Sequence, residues 1–328
     1  MIEIKLFKFD SKTDYLPYYK SYKLERESVN TVNDVLNAVN AIEKFGFLGD
    51  ELFFLQANNI YTDSGATLDE VMRDSNELVL EPLSINRAVN DLIIDTKDYQ
   101  EKLDFLDAYF NAEEKALIVQ EKRYMLEYYA SNTLHFNNDY IGEHVLFLAS
   151  ELIQNNPTLK NELSALVDTE DGIRIRSSLE HRVLNMNEQN TPVYNKVTLD
   201  SEILQYFDNF NIALYCALNN TSFENIIKQS NATYVELKSK HFDIPKNADK
   251  LSMLMAGSVL LEALDNDADF LIINNDEELA LFDAKQKSIE KTMGREINLP
   301  IITQNEFVRL LQGQKNLSSR KIKIPFLT

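Results

Sequence analysis

The chain has 328 residues, 52 acidic against 33 basic side chains and a formal net charge of −19. That length allows two or three domains with cores of their own, and the acidic balance makes a phosphate backbone an unfavourable partner, so nucleic-acid binding is not expected. The single cysteine, Cys216, excludes an intramolecular disulfide framework and fits a reducing, cytoplasmic setting.

The first residues, Met1-Ile2-Glu3-Ile4-Lys5-Leu6-Phe7-Lys8-Phe9-Asp10, alternate as a strand does and lack the charged start and apolar core of a secretory signal. Strands are predicted over 2–9 and 18–24. A helix follows, capped by Thr31, with Val32, Val35, Leu36, Val39 and Ile42 on one face. After a break at 46–50 come a strand over 52–56, a turn at Asn58-Asn59 and a strand over 77–80 before Pro82. This order makes residues 1–95 a small α+β domain of the β-grasp, ferredoxin-like kind. Residues 96–192 read as helical, through 103–129 and 145–166, and the polar stretch 187–192 reads as a linker. Beyond it, short apolar strands at 212–216, 233–237, 270–273 and 299–302 alternate with helices near 223–229, 249–264 and 277–293. That rhythm predicts an α/β domain with a parallel sheet over 193–313. The longest apolar run, 251–264, contains Ser252, Gly257, Ser258 and Glu262 and is shorter than the ~20 residues that span a bilayer, so membrane association is expected only through partners. The tail, 314–328, carries Lys315, Arg320, Lys321 and Lys323 and reads as a solvated terminus or a docking element for an acidic partner.

Leu80-Glu81-Pro82-Leu83 followed by Ala88-Val89-Asn90-Asp91-Leu92-Ile93-Ile94-Asp95 resembles the exit from the N-terminal [2Fe–2S] domain of succinate dehydrogenase and fumarate reductase iron–sulfur subunits. Asn137-Asn138-Asp139-Tyr140-Ile141-Gly142 and Asp171-Gly172-Ile173-Arg174 are similar to stretches of the helical second domain of that family. The register of the resemblance places Arg176, Arg182 and Met186 at ligand positions, and neither 46–59 nor 120–131 supplies a thiol. Farther on, Asp267-Ala268-Asp269-Phe270-Leu271-Ile272-Ile273 resembles a strand of the cysteine-rich CCG module found in heterodisulfide reductases. The likeness resumes at Asp283, Lys285 and Gln286 and runs from Asn298 to Gln304 and on to Leu311 and Gly313. By that resemblance Asn275 and Glu278 stand at a cysteine pair, His241 and Phe242 at another, and Cys216 at the first ligand. The whole order resembles the cluster-carrying chain of thiol:fumarate reductases. Clusters are usually held by four thiolates, so the resemblance implies an inherited fold without iron–sulfur cofactors; two of the three replacements in the helical domain are cations, which repel iron.

His135, His144, His181 and His241 show no zinc-type pairing. A mixed metal site of His241, Cys216 and Glu278 stands as the alternative to a pocket filled by side chains. Cys216, at the end of an apolar strand, reads as a buried hydrophobe rather than a nucleophile. With eight glycines the chain offers no phosphate-cradling loop or nucleophile elbow. The acidic residues at 265–269 and 276–278 read as a turn and as the first turn of a helix rather than calcium ligands. Tyr15, Tyr18, Tyr19 and Tyr22, and Tyr124, Tyr128 and Tyr129, read as core or interface packing, with flavin stacking the alternative. The function expected is a cytoplasmic, non-catalytic docking subunit of a respiratory electron-transfer complex, of the fumarate reductase or succinate dehydrogenase type or an atypical complex I, partnered by other oxidoreductase subunits. A flavin- or thiol-dependent oxidoreductase using the C-terminal pocket, and a stand-alone binding module, are the competing expectations.

Overall fold

Alternation of apolar and charged residues sets the first strand, β1 (Ile2–Lys8), which turns Ile2, Ile4 and Leu6 into a core. The computed structural model describes residues 1–49, 53–73, 75–179, 182–186, 197–199, 202–216, 221–246 and 248–314, and it divides into two units, Met1–Glu188 and Gln189–Thr328. The linker expected over 187–192, and the basic residues of the tail, lie outside the described residues.

In the first unit β1 pairs antiparallel with β2 (Tyr18–Leu24) and parallel with β5 (Glu77–Pro82). β3 (Phe54–Ala57) pairs antiparallel with both β5 and β4 (Ile60–Asp63), giving a mixed sheet of order β2-β1-β5-β3-β4. Helix α1 (Val32–Ile42) begins at a reciprocal cap, in which the Thr31 hydroxyl accepts from Asp34 N at 3.1 Å and Asp34 accepts from Thr31 N at 2.9 Å. Its Val32, Val35, Leu36 and Val39 pack against Ile4, Leu6, Leu78 and Leu80. The predicted turn at Asn58-Asn59 joins β3 to β4 with both residues left-handed, at φ 49° and 63°. The short helix α2 (Leu68–Met72) and strand β4, neither anticipated, lie between that turn and β5. A small ladder, β6 (Ala88–Asn90) with β7 (Ile93–Ile94), folds around Asp91, which accepts from Lys8 Nζ at 2.8 Å and Gly46 N at 2.8 Å.

The helical remainder comprises α3 (Lys97–Lys102), α4 (Ala112–Gln120), α5 (Lys122–Tyr129), α6 (Glu143–Asn155) and α7 (Lys160–Val167). The helical stretch expected over 103–129 is interrupted: a 3-10 turn at Leu103–Leu106 ends the first piece, and Asn111 caps a new helix by accepting from Glu113 N and Glu114 N. The stretch over 145–166 is likewise cut at Asn156-Pro157, because proline pushes the residue before it out of the helical region; Asn156 sits at φ −138°, ψ 89°.

The second unit holds a parallel sheet of order β11-β10-β8-β9, built from β8 (Asn211–Leu214), β9 (Thr233–Val235), β10 (Phe270–Ile273) and β11 (Ile301–Thr303). Its central strand β10, Phe270-Leu271-Ile272-Ile273, is apolar and buried throughout because both faces are covered. Ile212, Leu214, Phe270, Ile272 and Ile302 pack one way with Phe223 of α8 (Thr221–Gln229). Ala213, Leu271, Ile273 and Ile301 pack the other way with Ala256, Val259 and Leu260 of α9 (Asp249–Asp265). The single helix expected over 277–293 is in fact α10 (Asp276–Leu279), a π-helical turn at Ala280–Ala284, and α11 (Gln286–Met293). The last helix, α12 (Gln304–Leu311), starts at a reciprocal Thr303/Glu306 cap and adds Phe307 to the first of these cores.

Candidate functional site

The second unit's sheet reverses its strand order between β8 and β10: β9 adds on one side of β8, and β10 then β11 add on the other. Open α/β sheets bind ligands outside the carboxyl ends of their strands at such a point. A cavity of about 370 Å³ lies there, lined by Tyr215 just past β8, by Asn275, Glu277 and Glu278 just past β10, and by Ile244 and Pro245. Its floor is aromatic, with the buried Tyr215 and Phe282 rings 4.9 Å apart between centroids. The Tyr215 hydroxyl is anchored by donating to the Phe242 carbonyl at 2.5 Å. Phe282 belongs to the π-helical turn, which also supplies Ala280 and Leu281 to the wall; such turns occur frequently at functional sites.

Glu278 is the polar centre of this wall. Asn275 accepts from Glu278 N at 3.0 Å and so caps α10, while the Glu278 carboxylate accepts from Asn274 N at 2.7 Å. Burial pushes the Glu278 carboxyl up to about 7, against these backbone amides, which favour the charged form; neighbouring Glu277 raises it further and Lys246 opposes. The cations of the rim are paired: Lys246 with Glu277 at 2.5 Å and Lys285 with Asp249 at 3.0 Å, all four exposed.

The other positions singled out in this half of the sequence are held by the backbone. Cys216 lies two residues beyond β8, buried in the core formed with α8 and α12, and its N–H donates to the Lys240 carbonyl at 2.9 Å. His241 comes close to it, but the ring Nδ1 lies 2.9 Å from the Cys216 carbonyl oxygen. Phe242 packs with Tyr215 on the opposite face of the sheet. The mixed site of His241, Cys216 and Glu278 is therefore not assembled, and among the described residues no group of three His, Cys, Asp or Glu is arranged to hold a metal ion. The acidic stretch at 265–269 is a turn, with Asp267 at φ 57° and the Asp269 carboxylate accepting from Asn211 N at 2.7 Å.

In the first unit, Ser131 and Ser177 bring together the two stretches of the helical part in which the resemblance puts ligands; their hydroxyls lie 3.0 Å apart. Both face Glu143 Oε1, at 3.3 and 3.2 Å, which also accepts from Ser177 N at 2.8 Å and from the Tyr140 hydroxyl at 2.7 Å. Arg176 completes the group, with Nε 3.4 Å from Glu143 Oε2 and its guanidinium 5.3 Å from the centre of the Phe147 ring. Glu143 is fully buried, and that burial pushes its carboxyl up to about 7 although Ser177, Tyr140 and Arg176 all favour the charge. Arg182 stacks over Tyr61 at 5.2 Å and donates to its hydroxyl at 3.3 Å, while Tyr61 N donates to the Arg182 carbonyl at 2.7 Å. Met186 is half-buried and its N–H donates to Val183 O at 3.3 Å.

Tyr124, Tyr128 and Tyr129 are core residues whose hydroxyls donate to Glu151, Asp98 and Asp98 at 2.7, 3.1 and 2.9 Å. Tyr22 is buried, whereas Tyr15, Tyr18 and Tyr19 are exposed. His144 packs against Tyr99 and Tyr128, and burial pushes its imidazole down to about 3; His135 is exposed. His181 lies outside the described residues. Glu143 does not stand out in the sequence, because an acid in the first turn of a helix reads as an exposed partner of the helix dipole. Tyr215 and Phe282 are hidden for a similar reason, as ordinary apolar positions.

No family model matches the chain, and no curated protein matches it. Among solved structures, the crystal structure of a hypothetical protein from Helicobacter pylori is similar over 93% of this chain and 70% of that one, with 18% identity and a TM-score of 0.47. The chain itself is a mixed α/β protein whose described residues include a mixed and a parallel sheet, and among them no helix is long and apolar enough to cross a membrane.

Proposed function

We propose that the chain is a non-catalytic docking subunit of a respiratory electron-transfer complex, derived from iron–sulfur subunits of the succinate dehydrogenase and fumarate reductase type fused to a CCG-like module. The sheet order β2-β1-β5-β3-β4 with α1 packed on it agrees with a β-grasp first domain, and the four parallel strands agree with an α/β third domain. The observation that carries the reading is the fate of the ligand positions in the helical part. Arg176 is directed to Glu143 of α6 and Arg182 to Tyr61 of β4, so side chains that repel iron tie the stretch around 176–182 to the rest of the unit. An electron-transfer subunit must touch both a donor and an acceptor subunit, and those surfaces do not depend on the cofactor between them. A fumarate reductase or succinate dehydrogenase is the first host to consider, and an atypical complex I the second.

The test is affinity purification of the tagged protein from its native cells in mild detergent, followed by mass spectrometry. Stoichiometric recovery of oxidoreductase subunits is expected and would name the complex. Recovery of the chain alone, or stoichiometric iron and sulfide in anaerobically purified protein, would overturn the reading.

A further inference from the structure

The docking reading makes no use of the cavity between the carboxyl ends of β8 and β10, and its walls describe a ligand. At about 370 Å³ it lies near the lower end of the ~300–1,000 Å³ that small-molecule sites span, enough for one ring system with a short substituent and too small for a dinucleotide. Ile244, Pro245 and Leu281 give apolar contact, backed by the buried Tyr215 and Phe282 rings. The charged groups that face it are Glu278, Glu277, Asp243, Asp249, Lys246 and Lys285. Of these, Lys246 and Lys285 are engaged by Glu277 and Asp249 at the rim, and among the described residues no ion pair within 4.0 Å reaches Glu278.

A half-buried carboxylate in such a wall is stabilised by a ligand that brings positive charge and N–H donors, because the pair replaces the hydration the carboxylate has lost. An anionic ligand of the same size meets four carboxylates instead. We propose that this cavity binds a small planar ligand bearing a cationic N–H donor, an amidine or amine on an aromatic ring, with the ring against the apolar wall of Ile244, Pro245 and Leu281 and the donors on Glu278. The inference is independent of whether the chain docks onto a larger complex.

Benzamidine, benzoate and benzyl alcohol share one ring and differ in charge, and calorimetric titration of the full chain with each at pH 8 tests the assignment. Benzamidine is expected to bind in preference to both others. Glu278→Gln, which keeps an acceptor for Asn274 N, should weaken benzamidine at least about tenfold through loss of a charge-assisted bond. Ala280→Phe, at an exposed wall position, should block binding at an unchanged melting temperature and decides the matter if Glu278→Gln folds poorly. Because Glu278 holds its proton up to about pH 7, wild-type affinity should fall as pH drops from 8 to 6 while the amidinium stays charged. Benzoate binding as tightly as benzamidine, no benzamidine binding at millimolar concentration, or unchanged affinity in a folded Glu278→Gln or Ala280→Phe protein would each overturn the proposal.

Discussion

Glu143→Gln separates two views of the buried group at Arg176. The carboxyl titrates near 7 in the folded chain against 4.5 in the unfolded one. Between those values the folded state holds a proton that the unfolded state has released, so stability is greatest below pH 4.5 and falls as pH rises through 7. The slope is about 1.4 kcal/mol per pH unit, and the full span amounts to ~3 kcal/mol. Glutamine keeps the shape and the acceptor that meets Ser177 N and Tyr140, yet never ionises. Urea unfolding of the full-length proteins, followed by tyrosine fluorescence at intervals from pH 5 to 8, gives the difference between wild type and variant, in which the other titrating groups cancel. Wild type should lose about 2–3 kcal/mol on the variant across that range. A difference independent of pH, or one in which wild type gains as pH rises, would show that Arg176 and the hydrogen bonds outweigh desolvation and that Glu143 is ionised.

His144 behaves oppositely: its folded-state value near 3 lies below the ordinary 6.5, so the unfolded state takes up a proton that the folded state refuses and stability is lost as pH falls below 6.5. Relative to His144→Gln, wild type should lose about 2–3 kcal/mol between pH 6 and 4, read from the same unfolding measurement extended down to pH 4. Asn58→Ala removes side-chain bonds to Val71 O at 3.2 Å, Glu77 O at 3.0 Å and Val79 N at 2.8 Å and places alanine at φ 49°; about 2–3 kcal/mol should be lost, with Asn58→Gly recovering only the backbone share. Cys216→Ser puts a hydroxyl in an apolar core at a cost of about 1–2 kcal/mol and should leave co-purification with partners unchanged; a folded variant that no longer co-purifies would give the thiol a role.

The second sheet was legible in the sequence because its strands are short apolar runs punctuated by helices, and all four appear within a few residues of their predicted positions. The breaks inside helices were less so. Pro157 and Asn111 interrupt runs whose apolar spacing continues across them, and the π-helical turn at 280–284 has no compositional mark at all, since Ala280, Leu281 and Phe282 suit an α-helix equally well. By contrast α12 and α2 begin at Thr303…Glu306 and Thr67…Glu70, the Thr-x-x-Glu cap signature, a signal present in the sequence from which neither helix was predicted. Of the ligand-position residues, His241 and Cys216 lie together through the ring and a backbone carbonyl. The cavity was invisible because its wall is assembled by parallel crossovers: Tyr215 and Glu278 meet only when β8 and β10 pair in register, Leu214 beside Ile272.

The two units differ in how they treat the positions where the resemblance puts thiolates, and the difference follows from charge. In the helical part an arginine, Arg176, stands beside a fully buried carboxyl, and donors from Ser131, Tyr140 and Ser177 converge on one oxygen of it. These donors all face the same carboxylate, so the group links segments of the chain to one another rather than to a guest. In the parallel-sheet unit Asn275 caps a four-residue helix by accepting from Glu278 N, and the Glu278 carboxylate accepts from Asn274 N on the wall of the cavity. Glu278 is a half-buried acid at the end of a strand whose nearby cations, Lys246 and Lys285, pair with other carboxylates. On the proposed reading, the first set of replacements accounts for a subunit that folds without clusters, and the second for a place where a small cation can still report to it.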